Sequence, residues 1–426
     1  MHKLTIKDFG PIQKSEIDIN RIVILTGKQA SGKSTIAKTI YFFRTIRDDI
    51  YDLMLKQTDK SWRSTLEKML RNKFMQLFGS SYAMPRTMEL VYKYADKTSI
   101  RIFLGANYNY EKPNFINFEF SADLENYLED LDSQIFRDIT KAQLQQKRKK
   151  LIELFKDPYE TIYIPAGRSM ITLFTSQLNY IFASLDDMQK RSIDYCTQRY
   201  VELVLRLKPT FTKSMEGMIQ ESKDNASGKS ALALPRVFAD KVNAILQAKY
   251  RYENGEERLY LDSGEYIKLN FTSSGQQETV WVLNIMFYYL LQNRQVFLIL
   301  EEPEAHLYPD SQMLMTDLLG FFVSGKNALL ASTHSPYILG EINNLLLANT
   351  IGKMGARQEA AVKEVIDKRA WLDCGELAAY HTHDHLVKGA MSEGLVCNEF
   401  IDGASQAINE RCDNLLTIQF EDGVFL

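Results

Sequence analysis

The chain has 426 residues, 45% of them hydrophobic and 25% charged, so it can bury a full core and is unlike a disordered or fibrous protein. Its formal net charge of −3 gives no overall attraction to nucleic acid. Four widely spaced cysteines without a C-x-x-C pair indicate free thiols in a reducing compartment rather than a disulfide framework or a zinc module.

The first residues and the apolar runs indicate a protein that is neither secreted nor embedded in a membrane. MHKLTIKDFG lacks the apolar core of a signal peptide. The longest apolar run, Val280 to Leu291, is shorter than the roughly 20 residues that cross a bilayer as a helix. We therefore expect a cytoplasmic protein without a membrane partner.

Strand, loop and helix follow one another near the N terminus. Residues Leu4 to Leu25 alternate between apolar and polar, are interrupted at Gly10-Pro11 and end in an apolar run. This pattern predicts a hairpin that leads into a buried strand. Apolar residues at helical spacing then predict a helix over Ser34 to Arg44.

The loop between that strand and helix, GKQASGKST, matches the phosphate-loop pattern G-x-x-x-x-G-K-S/T. Its backbone N–H groups can surround phosphates, Lys33 can reach the β and γ oxygens, and Ser34 can coordinate Mg²⁺. We therefore predict an ATP and Mg²⁺ site; a chance glycine turn is the alternative interpretation. The residues expected to bind nucleotide here are Gly27, Ala30, Ser31, Gly32, Lys33, Ser34 and Thr35.

A second Gly-Lys-Ser, at Gly228 to Ser230, copies only the end of this pattern. Lys223 stands where the leading glycine is required, and the preceding residues are polar rather than strand-like. We interpret it as part of a flexible loop.

VFLILEEPEAHLYP, from Val296 to Pro309, is an apolar strand that ends in two carboxylates. Glu301 is the expected Mg²⁺ ligand, and Glu302 the expected general base toward the attacking water. The alternative is that both acids simply cap a surface strand.

Two further motifs accompany these acids. Ser273, Ser274 and Gly275 stand at the predicted start of an apolar helix, where they form either an ordinary N-cap or a second anion-binding helix terminus. His334 follows the apolar strand ALLAS and should lie at the same sheet edge as the acids. A structural histidine is the alternative to a γ-phosphate contact.

In order, these segments resemble Walker A, the ABC signature LSGGQ, Walker B with its catalytic glutamate, and the H-loop. The opening LTIKDFGPI resembles SMC and RecF ATPases more than transporter subunits. The resemblance implies head-to-tail packing of two subunits, in which Ser273 and Gly275 of one touch the γ-phosphate held by Lys33 of the other. It assigns Lys33, Glu302 and His334 to the catalytic site.

Three positions depart from that family pattern. Glu301 replaces the usual Walker B aspartate, Tyr308 stands where the D-loop aspartate is expected, and no Q-loop glutamine can be assigned. Within the segment Ile162 to Met170, a predicted strand ends in Pro-Ala-Gly-Arg, so that Arg168 faces the nucleotide or forms a structural turn; both interpretations stay open.

More narrowly, GKQASGKSTIAKTIYFF, IPAGRS, EEPEAHLYP and the tail from Leu377 to Leu416 resemble the ATPases of anti-phage systems such as PARIS and Septu. The resemblance implies a homodimer or larger assembly that senses nucleic acid or a phage protein and controls a separate effector. The TOPRIM nuclease of OLD-family relatives has no counterpart motif here, so any nuclease should be another chain. A RecF-like DNA-repair ATPase is the alternative, and a transporter subunit is disfavoured.

Two features are given less weight. His381, His383 and His385 alternate along a predicted strand and could ligate a metal, but a hairpin surface is the simpler interpretation. The basic run around Lys147 to Lys156 could contact nucleic acid, but such runs are usually solvated helix faces.

The sequence thus predicts an α/β fold: a P-loop ABC-type ATPase head with a mixed or parallel sheet, an antiparallel β subdomain and a helical insertion. The insertion should contain a helix or helical hairpin from Leu124 that includes the basic run. The predicted domains are the first part of the head (1–45), the insertion (46–235), the second part of the head (236–350) and a C-terminal extension (351–426).

Overall fold

The computed structural model describes residues 2–56, 61–107, 110–133, 140–168, 194–225, 232–397 and 399–421. Its strands are β1 (His2–Phe9), β2 (Ile12–Ile19), β3 (Ile22–Gly27), β4 (Glu89–Lys93), β5 (Ser99–Asn107), β6 (Tyr110–Phe120), β7 (Glu160–Ile164), β8 (Lys249–Glu253), β9 (Glu256–Tyr260), β10 (Tyr266–Lys268), β11 (Val296–Glu301), β12 (Ala328–Ser332), β13 (Leu377–His383), β14 (Leu386–Gly389), β15 (Met391–Ser392) and β16 (Leu395–Val396). Its helices are α1 (Lys33–Lys56), α2 (Trp62–Phe78), α3 (Ala122–Ser133), α4 (Lys141–Phe155), α5 (Tyr195–Leu207), α6 (Met215–Asn225), α7 (Ala233–Leu246), α8 (Ser274–Leu291), α9 (Pro309–Ser324), α10 (Pro336–Gly352), α11 (Ala356–Lys363) and α12 (Glu399–Glu421).

In the described part of the chain, eleven strands form one mixed sheet in the order β6-β5-β4-β1-β2-β14-β13-β3-β12-β11-β7. The strands from β13 to β7 run parallel to one another, whereas β1, β2, β4, β5 and β6 pair antiparallel. The carboxyl ends of the parallel strands therefore meet at one edge, where ligands commonly bind in such sheets.

The parallel strands are apolar throughout because both faces of the sheet are covered. In β3, Ile22 and Ile24 pack into one core, and Val23 and Leu25 pack into the other. Helices α8, α9 and α10 contribute to the first core, and α1 and α2 to the second. The strand that precedes the phosphate loop is thus fixed from both sides.

The predicted α/β fold with a mixed sheet is confirmed. The predicted antiparallel strands are β4, β5 and β6, which continue the main sheet because β4 pairs with β1. A separate three-stranded antiparallel sheet consists of β8, β9 and β10 and precedes α8 in the chain.

Where the sequence predicts a helix or helical hairpin from Leu124 that includes the basic run, the described residues form two separate helices, α3 and α4, and the basic run lies on α4. Helix α4 has its own start, since the Thr140 side chain accepts from the Gln143 N–H and Gln143 reaches back to the Thr140 N–H. Residues 134–139, between these two helices, lie outside the described residues, as does the second Gly-Lys-Ser.

Segments from the insertion and from the C-terminal extension contribute strands to the main sheet. Strand β7 pairs with β11, and β13 pairs with β3. The domain boundaries stay predictions, but the four ranges share one sheet.

Candidate functional site

The phosphate loop connects β3 to α1 through left-handed backbone. Gly27 has φ +138°, Ala30 φ +61° and Gly32 φ +107°. Glycine adopts such angles without a steric cost from Cβ, which explains the two glycines that the motif requires. The Ile36 N–H donates to the Gly32 carbonyl at 2.9 Å, so the helix begins immediately after the loop.

Lys33 is folded back onto the loop. Its ammonium group donates to the carbonyls of Gly27 and Lys28, both at 2.8 Å. Burial lowers the pKa of Lys33, and the nearby carboxylates of Glu302, Glu304 and Glu301 oppose that shift. Lys33 therefore lies close enough to Glu301 and Glu302, the two acids predicted from a separate motif, for their charges to affect its pKa.

Strand β13 supports the phosphate loop, a contact that the sequence analysis missed. The Thr382 hydroxyl hydrogen-bonds to the Ser31 hydroxyl and donates to the Thr26 carbonyl at 3.0 Å. A Cβ on Gly27 would lie 2.2 Å from the Thr382 Oγ1, so this strand also requires a glycine at position 27. The buried His381 packs beside Thr382 with its Nδ1 3.0 Å from the Thr26 hydroxyl.

Glu301 ends the Walker B strand β11 and is buried. Its Oε2 accepts from the Ala166 N–H at 3.2 Å, while its Oε1 accepts no hydrogen bond of normal geometry from the described residues. Ser34 is exposed in the first turn of α1. A buried carboxylate oxygen with free lone pairs fits a hard cation such as Mg²⁺, and the Ser34 hydroxyl is a suitable second oxygen ligand.

Glu302 lies one residue further, with φ +47° and a side chain that is partly exposed. Its Oε1 is 3.8 Å from the Nε2 of His334. Burial lowers the pKa of His334, and Lys33 adds to this shift, whereas Glu302 opposes it. The imidazole is therefore expected to be neutral at pH 7, available as a hydrogen-bond donor or acceptor.

Glu304, a third carboxylate of the same motif, was not selected from the sequence. It accepts from the Thr333 hydroxyl at 2.8 Å and from the His334 N–H at 2.7 Å. Burial raises its pKa. Glu304 thus fixes the loop that carries His334. In the sequence, Glu304 could have been recognised as a third acid, two residues after Glu302 in the run EEPE.

The turn Ser273–Gly275, which we call the signature-like turn, begins α8. The Ser273 side chain accepts from the Gln276 N–H, and Gln276 in turn accepts from the Ser273 N–H. Ser273 and Ser274 are exposed, whereas Gly275 lies against the His306 backbone, where a Cβ would be 2.6 Å from the carbonyl oxygen. The exposed start of α8 is therefore accessible from outside the protomer.

Arg168 does not project into the nucleotide site. Its guanidinium is buried and donates to main-chain carbonyls, including those of Glu301 and Glu302. Of the two interpretations left open by the sequence, the structural turn is the one observed.

Of the three alternating histidines, His381 and His383 lie side by side on β13 with their ring centres 6.2 Å apart, whereas His385 lies outside the strand. His381 is buried beside the phosphate loop, His383 pairs with Asp384 at 2.9 Å, and the His385 Nδ1 is 2.7 Å from the Pro11 carbonyl oxygen. His385 lies in the turn between β13 and β14 with φ +65°, which ends the strand alternation. Within the described residues, no group of His, Cys, Asp and Glu side chains has the geometry of a metal cluster.

Across the described part of the chain, we found no helix that combines the length and the apolar character needed to span a membrane. The basic run lies on α4, where Arg148, Lys149 and Lys150 are exposed. These charges face solvent, which is compatible both with a solvated helix face and with a nucleic-acid contact, so both interpretations stay predictions.

A phosphate loop with its lysine at a parallel sheet edge, beside two strand-terminal glutamates and a histidine, defines a nucleotide-binding P-loop ATPase. The family model of the AAA ATPase domain matches residues 1–339, and the chain belongs to this family.

Solved structures of SMC heads are similar at low identity. An SMC head bound to the C-winged helix domain of ScpA is 12% identical, with 91% of this chain and 95% of that chain covered and a TM-score of 0.40. The SMC head domain from Thermotoga maritima is 12% identical, with 92% and 98% covered and a TM-score of 0.35. An SMC head with an extended coiled coil, bound to the C-terminal domain of ScpA derived from Pyrococcus furiosus, is 12% identical, with 96% and 99% covered and a TM-score of 0.38. No curated protein matches the chain.

Proposed function

We propose that two copies of this chain bind Mg-ATP between them and hydrolyse it there. The observation that carries the proposal is the exposure of Ser273 and Ser274 at the free start of α8. None of the contacts described for this turn reaches Lys33 or the phosphate loop of the same protomer. The Ser273 and Gln276 N–H groups are used in the capping box, but no described bond uses the N–H groups of Ser274 and Gly275. These two N–H groups and the positive end of α8 are therefore available to a γ-phosphate that a second copy holds.

Each residue of the site has a distinct role in this proposal. Lys33 exchanges its bonds to loop carbonyls for bonds to the β and γ oxygens. Glu301 and Ser34 hold Mg²⁺, which when bound neutralises phosphate charge. Glu302 accepts a proton from the attacking water, and neutral His334 donates a hydrogen bond toward the γ-phosphate.

Replacing Glu302 tests both the chemistry and the assembly. Glu302→Gln keeps the size of the side chain but removes the proton acceptor, so turnover should fall about 10²- to 10⁴-fold while ATP binding is retained. Light scattering should then detect a dimer or larger species that persists with Mg-ATP. The matched control is Glu364→Gln, because Glu364 is an exposed residue at the end of α11. Turnover equal to that of the unmodified chain would refute the base assignment.

At the level of biology, we propose a sensor or scaffold ATPase of an anti-phage system that controls a separate nuclease effector. The proposal is supported by the resemblance of the phosphate-loop, IPAGRS and EEPEAHLYP segments to such ATPases. The purified chain with Mg²⁺ should leave DNA and RNA intact, and co-expression with the product of the adjacent gene should yield a complex. Cleavage of nucleic acid by the chain alone would contradict the proposal.

The exposed basic face of α4 supports one alternative, a RecF-like ATPase that binds DNA. In that case DNA should stimulate ATP hydrolysis, with an affinity that decreases steeply with salt. Hydrolysis unaffected by DNA at low salt would leave the defence proposal as the better explanation.

A further inference from the structure

One buried arginine connects two motifs that are far apart in the sequence. Arg168 is only 1% exposed. Its guanidinium donates to the Glu301 carbonyl at 2.6 Å and to the Glu302 carbonyl at 3.0 Å. On its other side, the Nε donates to the Glu278 carbonyl at 3.2 Å and lies 3.3 Å from the Glu278 carboxylate. Arg168 therefore joins α8 to the peptide that carries the proposed general base.

The backbone around Arg168 strengthens the same connection. The Arg168 N–H donates to the Glu278 Oε2 at 2.8 Å, and the Ala166 N–H donates to the Glu301 Oε2 at 3.2 Å. The guanidinium also donates to the Pro165 carbonyl at 2.9 Å, which closes the loop on itself. The loop after β7 is thus hydrogen-bonded both to α8 and to the last residue of β11.

Glu302 depends on such external support. Its φ of +47° lies in the left-handed region, which costs a non-glycine residue about 1–2 kcal/mol. Backbone in this region persists only where neighbouring contacts determine it. The Glu302 N–H donates to the Ser332 carbonyl at 2.9 Å, and the Glu302 carbonyl accepts from the Ala305 N–H at 3.1 Å and from Arg168 at 3.0 Å. Of these contacts, the bond from Arg168 is the one that connects Glu302 to α8.

A second contact links the same two motifs without Arg168. Gly275 of the signature-like turn lies directly against the His306 carbonyl, four residues after Glu302. Movement of the first turn of α8 would therefore displace the loop after Glu302 through close packing and pull on Arg168 through Glu278.

We propose that Arg168 is a positioning residue: it holds the Glu302 backbone in place for proton acceptance and relates that placement to the position of α8. The inference rests on the composite ATP site proposed above. It goes further by giving each protomer a defined connection between its signature-like turn and its own general base. Lysine cannot replace this arginine, because a single ammonium group cannot span the carbonyls that the planar guanidinium reaches together.

Arg168→Lys tests the positioning role, since it keeps the charge and removes the fork. The affinity for ATP should change by less than about threefold, because the phosphate loop is untouched, whereas kcat should fall on the order of 10²-fold from misplacement of Glu302. The matched control is Arg44→Lys. Arg44 is also buried and pairs with Asp157 at 2.6 Å, but its described hydrogen bonds involve no residue of the ATP site. The folded control should retain its kcat.

Glu278→Gln tests the connection to α8 and remains informative if Arg168→Lys does not fold. It should lower kcat with little change in ATP affinity. The double variant should be no slower than Arg168→Lys alone, because both changes interrupt one contact. Reductions that multiply, an unchanged kcat in Arg168→Lys, or a parallel loss of ATP affinity would each overturn the inference. An unmodified chain that hydrolyses no ATP would instead refute the proposed function.

Discussion

The Lys33 side chain is hydrogen-bonded within the protein itself. Its ammonium group bonds to the carbonyls of Gly27 and Lys28 and lies near three carboxylates, so the site is electrostatically balanced in the protein alone. A triphosphate offers stronger, charge-assisted partners at the same place. The loop is therefore pre-arranged, and the lysine needs only to exchange partners.

Lys33→Ala should lower the affinity for ATP about 10²-fold, as expected for the loss of charged hydrogen bonds worth about 1.5–3 kcal/mol. Titration with a fluorescent ATP analogue measures the change. Lys28→Ala is the control, since Lys28 has the same charge on the same loop but an exposed side chain. A comparable loss in both variants would show that general positive charge, rather than the position of Lys33, binds the phosphates.

The roles of residues that belong to a contiguous motif could be predicted from the sequence. The roles of residues that reach the site through strand pairing or long-range contacts could not. Lys33 and Glu302 follow from local patterns because phosphate binding requires a fixed spacing. The role of Thr382 depends on the pairing of β13 with β3, across more than 350 residues. Arg168 was recognised as notable, but its direction is set by carbonyls of another motif, which no local pattern encodes.

At the level of elements, β3 and β13 approach each other most closely at Gly27. A Cβ there would lie 2.2 Å from Thr382 Oγ1 and 2.3 Å from its carbonyl oxygen. Gly27→Ala should therefore separate the two strands and destabilise the protein by about 1–3 kcal/mol from overpacking, in addition to backbone strain. Urea unfolding measures the loss.

Gly79→Ala separates the two contributions to that loss. Gly79 has φ +81°, and no other atom lies within 4 Å of the place that a Cβ would occupy, so alanine there adds backbone strain without a clash. Its cost should be about 1–3 kcal/mol, because φ +81° with ψ −161° is a backbone region that essentially only glycine adopts. If both variants lose the same stability and Gly27→Ala binds ATP normally, the contact with β13 does not shape the phosphate loop.

A buried network joins α1, β1, β4 and the segment after α4. His2 lies between the Tyr92 hydroxyl, 3.0 Å from its Nδ1, and Arg44, which pairs with Asp157. Burial, together with the charge of Arg44, lowers the pKa of His2 to about 3. The unfolded chain, with a histidine pKa of about 6.5, then binds more protons than the folded protein at intermediate pH.

Stability should therefore decrease as the pH falls from about 6.5 toward 3, by up to about 1.4 kcal/mol per pH unit from this histidine. His2→Asn removes the titration and keeps an acceptor for Tyr92. Unfolding free energies of the two proteins, measured between pH 6 and pH 4, should diverge with the steeper decline in the unmodified chain. Parallel curves would show that His2 does not titrate differently on folding.

For the whole molecule, the sequence predicts the elements with a strong hydrophobic pattern. It does not predict the order in which the strands pair in the sheet. The apolar runs of β3, β11 and β12 imply buried parallel strands. In the sheet, β13 and β14 lie between β2 and β3. This pairing joins segments far apart in the chain, and no local sequence pattern indicates it. The C-terminal extension is consequently part of the support for the phosphate loop.

A composite site makes a prediction about mixtures of two impaired variants. Lys33→Ala disables the phosphate loop but leaves the signature-like turn intact, whereas Ser273→Arg obstructs the turn and leaves the loop intact. Each variant alone should show little activity when the ATP concentration is well below the weakened Kd of Lys33→Ala. In a mixed dimer, the loop of the Ser273→Arg subunit meets the turn of the Lys33→Ala subunit, which restores one of two sites.

With equal amounts and random pairing, half of the dimers are mixed, so activity should recover to at most about a quarter of the unmodified level if the sites act independently. Steady-state phosphate release on mixing measures the recovery. The control is a mixture in which one partner carries both substitutions, since neither of its mixed sites is complete. Activity of Ser273→Arg alone at the unmodified level, or no recovery in mixtures shown to contain mixed dimers, would contradict the shared site.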